Sequence, residues 1–228
     1  TNGGPTTTIT SHGYLRNNAG QILINPTTGL PLIDANFKVR GDRNPDFTLG
    51  WLNNITYKNL RISFLWDLKV GGDIFNATEK YLTAIGRSAL TNDRNVARIV
   101  PGVLKDGKEN TTTPTQNSIS ITPANNSLYY TTMPEEAFIE KDVNWFRLRD
   151  LSFNYNVKKF LRGDIDKLAK TLNVFLTIND LILISNYRGA DPAVGATSSA
   201  SRGVSGFGFD YGNMGAPIAF NFGIRASF

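Results

Sequence analysis

The chain has 228 residues, 24 Lys and Arg against 19 Asp and Glu, a net charge of +5 and no cysteine. No cysteine means no disulfide framework and no thiolate metal site, and the single histidine, His12, disfavours zinc. The basic residues are dispersed rather than massed, so no nucleic-acid partner is expected.

No apolar run approaches the roughly 20 residues of a transmembrane helix. If the chain meets a membrane, it does so through strands. It begins Thr1-Asn-Gly-Gly-Pro5, without a start methionine or signal peptide, and reads as a processed or partial polypeptide. Residues 1–46 carry little periodic signal and read as an N-terminal extension and loop. Pro26-Thr-Thr-Gly29 and Gly41-Asp-Arg-Asn-Pro45 are turn signatures, and His12 is expected at the surface.

Strands are expected from residue 47 onward. In 47–57, Phe47, Leu49, Trp51, Ile55 and Tyr57 share a face, with Asn53 the exception. After a tight hairpin, 60–70 sets Leu60, Ile62, Phe64, Trp66, Leu68 and Val70 against Arg61, Ser63, Leu65, Asp67 and Lys69. Both segments have the length of a tilted membrane strand, about 9–11 residues. A long connection follows at 71–144, with a short helix expected near 77–85. Its basic residues Arg87, Arg94, Arg98, Lys105 and Lys108 read as solvated rather than as contacts for lipid headgroups.

The third strand, 145–157, alternates Leu151, Phe153, Tyr155 and Val157 with small polar residues. Carried backwards, that register puts Arg147 and Arg149 on the apolar face. A bulge near Asp150 would reverse it and turn Phe146 and Leu148 outward instead. A helical turn is expected within 158–170. The fourth strand, 171–179, sets Leu172, Val174, Leu176 and Ile178 against Asn173, Phe175, Thr177 and Asn179. A second long loop spans 180–216. The last strand sets Ile218, Phe220, Phe222, Ile224, Ala226 and Phe228 against Ala219, Asn221, Gly223, Arg225 and Ser227.

Short and long connections alternate, so all long loops leave one end of the strands. That is the asymmetry of outer-membrane barrels, with short periplasmic turns and long extracellular loops. Leu60, Ile62, Phe64, Trp66, Leu68 and Ile218 are then expected to face lipid, and Trp51, Trp66, Tyr57, Tyr155 and Phe228 to form interfacial girdles. A soluble carbohydrate-binding β-sandwich produces the same alternation. It predicts that the apolar faces of 60–70 and 217–228 meet in a dry core. Strand length, loop asymmetry and the terminal phenylalanine favour the membrane.

No catalytic, metal or cofactor constellation is present: there is no GxSxG, Walker or HExxH pattern. Gly206-Phe-Gly-Phe-Asp-Tyr-Gly212 has the wrong spacing for a phosphate loop and reads as flexible. Glu135, Glu136 and Glu140 read as solvated acids rather than a glycosidase pair. The chain is not expected to be an enzyme.

Several segments resemble the C-terminal barrel of the SusC/RagA family, TonB-dependent outer-membrane transporters of Bacteroidetes. They are Asn44-Pro-Asp-Phe-Thr-Leu-Gly50, Ile55-Thr-Tyr-Lys-Asn-Leu60, Gly71-Gly-Asp-Ile-Phe-Asn76, Asn144-Trp-Phe-Arg-Leu-Arg-Asp-Leu-Ser-Phe-Asn-Tyr155, Asn179-Asp-Leu181 and Tyr187-Arg-Gly-Ala-Asp-Pro192. The resemblance covers about residues 30–228. It implies an all-β, antiparallel transmembrane β-barrel of roughly 22 strands closed around a plug, of which residues 47–228 supply the last five or six, with extracellular loops at 71–144 and 180–216. It also implies import of a glycan oligosaccharide, or next an oligopeptide, together with a SusD-like surface lipoprotein. TonB would act through a missing N-terminal part, and no cofactor is implied. Phe220, Phe222, Ile224 and Phe228 match the terminal strand read by the barrel-assembly machinery.

Overall fold

Alternating apolar and polar residues over 47–57 and 60–70 form two antiparallel strands, β1 (Phe47–Tyr57) and β2 (Leu60–Val70). They are joined by a two-residue turn in which Lys58 takes φ +53°. The computed structural model describes residues 4–157, 170–193, 195–196 and 206–227. β3 (Trp145–Asn156), β4 (Thr171–Ser185) and β5 (Ala219–Ser227) complete a five-stranded antiparallel sheet. Each strand pairs with its predecessor in the chain, so the sheet is an open meander. Among the described residues, the outer edges of β1 and β5 are unpaired.

The bulge expected near Asp150 is present. Leu65 and Trp66 are adjacent on β2, while their partners on β3, Asp150 and Leu148, are two apart, leaving Arg149 as the extra residue. On β4 the corresponding partners are Asn179 and Ile182, so Asp180 and Leu181 are both extra, and Asp180 takes φ +51°. The shift turns Phe146 and Leu148 to the face of Trp66, where the Phe146 and Trp66 rings stack at 4.4 Å and 2°. β4 runs to Ser185 rather than stopping at Asn179. The polar Asn179-Asp180 pair is absorbed as a bulge, not spent on a turn, so the second long connection starts six residues later than the alternation suggests. The helical turn expected within 158–170 and the terminal Phe228 lie outside the described residues.

The segments Thr1–Asn44, Gly72–Lys141 and Ala193–Asn213 form a second unit. Here the structure corrects the sequence reading. Residues 1–46 are more than an extension: Thr8–Tyr14 pairs with Ile33–Asp42, with two register shifts. The long connection is built around Ile74–Asn76, which pairs antiparallel with Ile139–Glu140 and parallel with Phe209–Asp210. The last of these lies in the glycine-rich stretch read as flexible.

The expected helix is α1 (Ala77–Ala84), started by Asn76, whose side chain accepts from the Glu79 N–H at 2.8 Å. Ile9, Phe75, Phe138 and Ile139 make the core of this unit, with Met133 and Phe209 against it. His12 is half-buried rather than at the surface, its ring 4.1 Å from that of Phe37 and tilted 49° to it.

The three acids are also not free in a loop: Glu135 and Glu136 are half-buried and Glu140 is buried. Glu136 accepts from the Tyr14 N–H at 2.8 Å and from Arg16 at 3.0 Å. Glu135 pairs with Lys80, and the buried Glu140 accepts from Asn76 at 2.9 Å. They are spent on tying segments together, which removes the glycosidase reading. Two of the loop arginines are likewise engaged, Arg98 with Asp93 at 2.8 Å and Arg94 with the Thr91 carbonyl at 2.9 Å.

Candidate functional site

The two faces of the meander are chemically opposite. On one, the pairing registers line up Tyr57, Leu60, Tyr155, Val174 and Ile224 in a row across the five strands. The next rows are Ile55, Ile62, Phe153, Leu176 and Phe222, and then Asn53, Phe64, Leu151, Ile178 and Phe220. Beyond the bulge follow Trp51, Trp66, Leu148 and Ile182, and then Leu49, Leu68, Phe146 and Ile184. Apart from the Tyr57 and Tyr155 hydroxyls in the first row, Asn53 interrupts the apolar run, and its amide nitrogen is buried without a hydrogen-bond partner.

This face is uncovered at its edges: Phe222 is 71% exposed and Trp51 56%. From the Tyr57 row to Phe47 is ten residue steps, about 34 Å along the strand. At a tilt of about 40° that is about 26 Å of height, matching the ~25 Å apolar band of an outer-membrane barrel.

The other face is a polar lattice. Asn221 donates to Asn179 at 3.1 Å, and Asn179 to Asp150 at 3.2 Å. Ser152 donates to Asp150 at 2.9 Å and shares a 2.9 Å hydroxyl contact with Thr177. Nearer the turn, Arg61 donates to Asn54 at 3.0 Å. Phe175 is a large ring here. It lies over Gly223, where a Cβ would come within 2.6 Å of it, and under the Arg225 guanidinium at 5.7 Å. Glycine at 223 therefore lets the ring lie flat across β5.

Three of the resembling segments converge on one ion cluster. Arg147, 2% exposed, donates to Asp180 at 3.0 Å and to Asp191, whose other oxygen accepts from the Ala216 N–H at 3.1 Å. This joins Trp145-Phe-Arg-Leu-Arg-Asp150, Asn179-Asp-Leu181 and Tyr187-Arg-Gly-Ala-Asp-Pro192. Tyr187 closes over Gly189, where a Cβ would meet its ring at 2.3 Å. The sequence signal was the pair of arginines breaking the alternation. It gave no indication that Asp180 and Asp191 answer one of them.

Leu60, Ile62, Phe64, Trp66 and Leu68 all fall on the apolar face, as do Phe220, Phe222 and Ile224. Ile218 precedes β5 and is 53% exposed. β2 and β5 belong to one sheet and turn their apolar sides the same way. They do not oppose each other, so the dry core required of a β-sandwich is not formed between them. Among the described residues no group of three or more His, Asp or Glu could hold a metal ion, and no helix is long and apolar enough to cross a membrane.

A strand meander with one apolar face of bilayer height, one polar face and long connections at one end has the pattern of outer-membrane barrel strands. Comparison with known proteins agrees. No protein-family model matches the chain. It is 28% identical over 203 residues to TonB-dependent receptor P3 of Formosa agariphila, covering 85% of this chain and 17% of that protein. It is 25% identical over 194 residues to TonB-dependent receptor P26 of the same organism, covering 83% and 18%.

Among solved structures, the fold is similar to the RagAB peptide importer in its closed-closed state, with TM-score 0.52 and 14% identity over 97% of this chain and 23% of that one. The RagAB peptide transporter gives TM-score 0.51 and 15% identity over 97% and 23%. The chain thus matches TonB-dependent receptors of a Bacteroidetes in sequence and a transporter of the SusC/RagA type in fold, as its motifs imply. It spans less than a fifth of the length of the curated relatives.

Proposed function

We propose that this chain forms part of the membrane-spanning wall and outer loops of a TonB-dependent outer-membrane importer. The observation that carries the reading is the continuous apolar face across all five strands, backed by a polar face. Unpaired strand edges are not tolerated in hydrocarbon, so β1 and β5 are joined by further strands of a closed barrel. Leu60, Ile62, Phe64, Trp66, Leu68 and Ile218 face lipid, and the polar lattice faces the lumen. The connections at 71–144 and 180–216 lie outside the cell, where they meet solute and a SusD-like lipoprotein. TonB acts through a part of the importer other than these residues. The imported nutrient is an oligosaccharide or an oligopeptide. The family resemblance puts the glycan first, and the kinship in fold with a peptide importer supports the peptide.

Fractionation with uptake tests the reading. The protein should be recovered with outer membranes, and TonB-dependent accumulation of labelled oligosaccharide or oligopeptide should stop when it is deleted. Recovery as a soluble 25.1 kDa monomer would overturn it. The terminal strand is proposed as the assembly signal, through Phe220, Phe222, Ile224 and Phe228. Phe228→Ala should lower the amount of protein in the outer membrane several-fold, and unchanged membrane levels would remove that role.

A further inference from the structure

In the unit built on Thr8–Tyr14, Ile33–Asp42 and the long connection, Tyr14, Ile22, Ile33, Val100, Tyr129 and Met133 wall a half-enclosed pocket of about 170 Å³. Its walls are mainly apolar, and four of their polar groups are already engaged. The Val100 carbonyl accepts from the Asn117 amide at 2.8 Å, and the Ile22 carbonyl from the Val103 N–H at 2.9 Å. The Thr132 hydroxyl donates to the Leu128 carbonyl at 2.7 Å, and the Tyr14 N–H to Glu136 at 2.8 Å. Burial also pushes the Tyr14 phenol up to about 12, so the ring stays neutral.

Volume and chemistry decide what such a pocket can hold. A cavity of about 150 Å³ with apolar walls accepts benzene, so this one has room for a phenyl or leucyl group. A sugar ring would bring several hydroxyls into a space with few free partners, at about 1–3 kcal/mol for each one left unsatisfied. The amide-rich cleft around Asn17, Gln21 and Asn110 has no aromatic platform for a sugar face. Its Asn17 amide is already bonded to Gln21 at 2.9 Å and to the Glu109 carbonyl at 2.8 Å.

We propose that the Tyr14–Tyr129 pocket binds one apolar side chain, of phenylalanine or leucine size, carried by a peptide. The inference rests on the import reading only for making that peptide a transported solute. Binding is tested on protein isolated from outer membranes in detergent, by calorimetry with Gly-Gly-Phe-Gly-Gly and Gly-Gly-Ser-Gly-Gly. The phenylalanine peptide should bind at least about tenfold more tightly, as burial of one phenyl group provides. Val100→Phe, which fills the pocket, and Tyr129→Ala, which opens it, should each remove that preference while the thermal midpoint holds.

Equal affinities, a preference that survives both variants, or displacement of the peptide by maltohexaose would each overturn the proposal. Uptake is measured separately. Selective binding without TonB-dependent uptake would support the pocket and overturn the import reading. Uptake without selective binding would do the reverse.

Discussion

Arg147 of β3 reaches Asp191, 44 residues further along the chain, and the guanidinium that links them is 2% exposed. Removing one partner of a buried pair costs at most about 3–5 kcal/mol, and here Asp180 stays with Arg147 and the Ala216 N–H with Asp191. Arg147→Leu and Asp191→Asn should each lower the stability of the detergent-solubilised protein by up to that amount, read from denaturant unfolding. The double variant should cost less than the sum of the two, because neither charge is then left stranded.

The apolar face makes a depth-dependent prediction. Phe64 lies four residue steps above the Tyr57 row, close to the middle of the band. Phe64→Arg should cost about 2–4 kcal/mol, as a charge at the bilayer midplane does. Ser63→Arg, one residue away on the polar face, should cost less than half as much. Equal losses in equilibrium folding into lipid vesicles would show that both faces meet the same solvent.

Asn53 should be improvable. It sits between Trp51 and Ile55 and opposite Phe64, with its amide nitrogen unpartnered. An unsatisfied amide in apolar surroundings costs about 1–3 kcal/mol, and valine fills similar space without that cost. Asn53→Val should raise the thermal midpoint in detergent. A lower midpoint would mean that the amide has a partner in the assembled protein.

Asp34 supplies the pH dependence. The Lys38 ammonium, 2.6 Å away, and the Asn36 N–H at 3.0 Å hold its carboxyl at about 2, below its ordinary 3.8. A folded-state value below the unfolded one stabilises above the ordinary pKa and is lost as protons bind. Protection of the Ile33–Asp42 amides against hydrogen exchange should therefore hold down to about pH 4 and fall toward pH 2. Asp34→Asn should flatten that profile.

The five-stranded sheet was legible because its signal is local. Alternation in 47–57 and 60–70 fixes both strands to their ends, and the clash of Arg147 and Arg149 with that alternation marks the bulge. What could not be read is held by distant pairings. Thr8–Tyr14 meets Ile33–Asp42 with two register shifts that scramble any period of two. Ile74–Asn76 takes its partners from two separate connections, Ile139–Glu140 before β3 and Phe209–Asp210 after β4. Glu136 looks like a loop acid until Tyr14 and Arg16, some 120 residues earlier, are brought to it. The pocket walled by Tyr14, Val100 and Tyr129 left no sequence signal for the same reason.

The meander also bears on the order in which the chain folds. β1 and β2 close over two residues, whereas β2 and β3 must close over about 70, roughly five doublings of loop length and on the order of 3 kcal/mol more in entropy. In the finished sheet the ends of that span are pinned, with the Gly71 N–H donating to the Asn144 side chain at 2.8 Å. If the segment between them collapses first around Phe75 and Phe138, the ends are delivered together and much of that entropic barrier disappears. The β1–β2 hairpin would then form early, and β3 would dock only after the segment between β2 and β3 had taken shape.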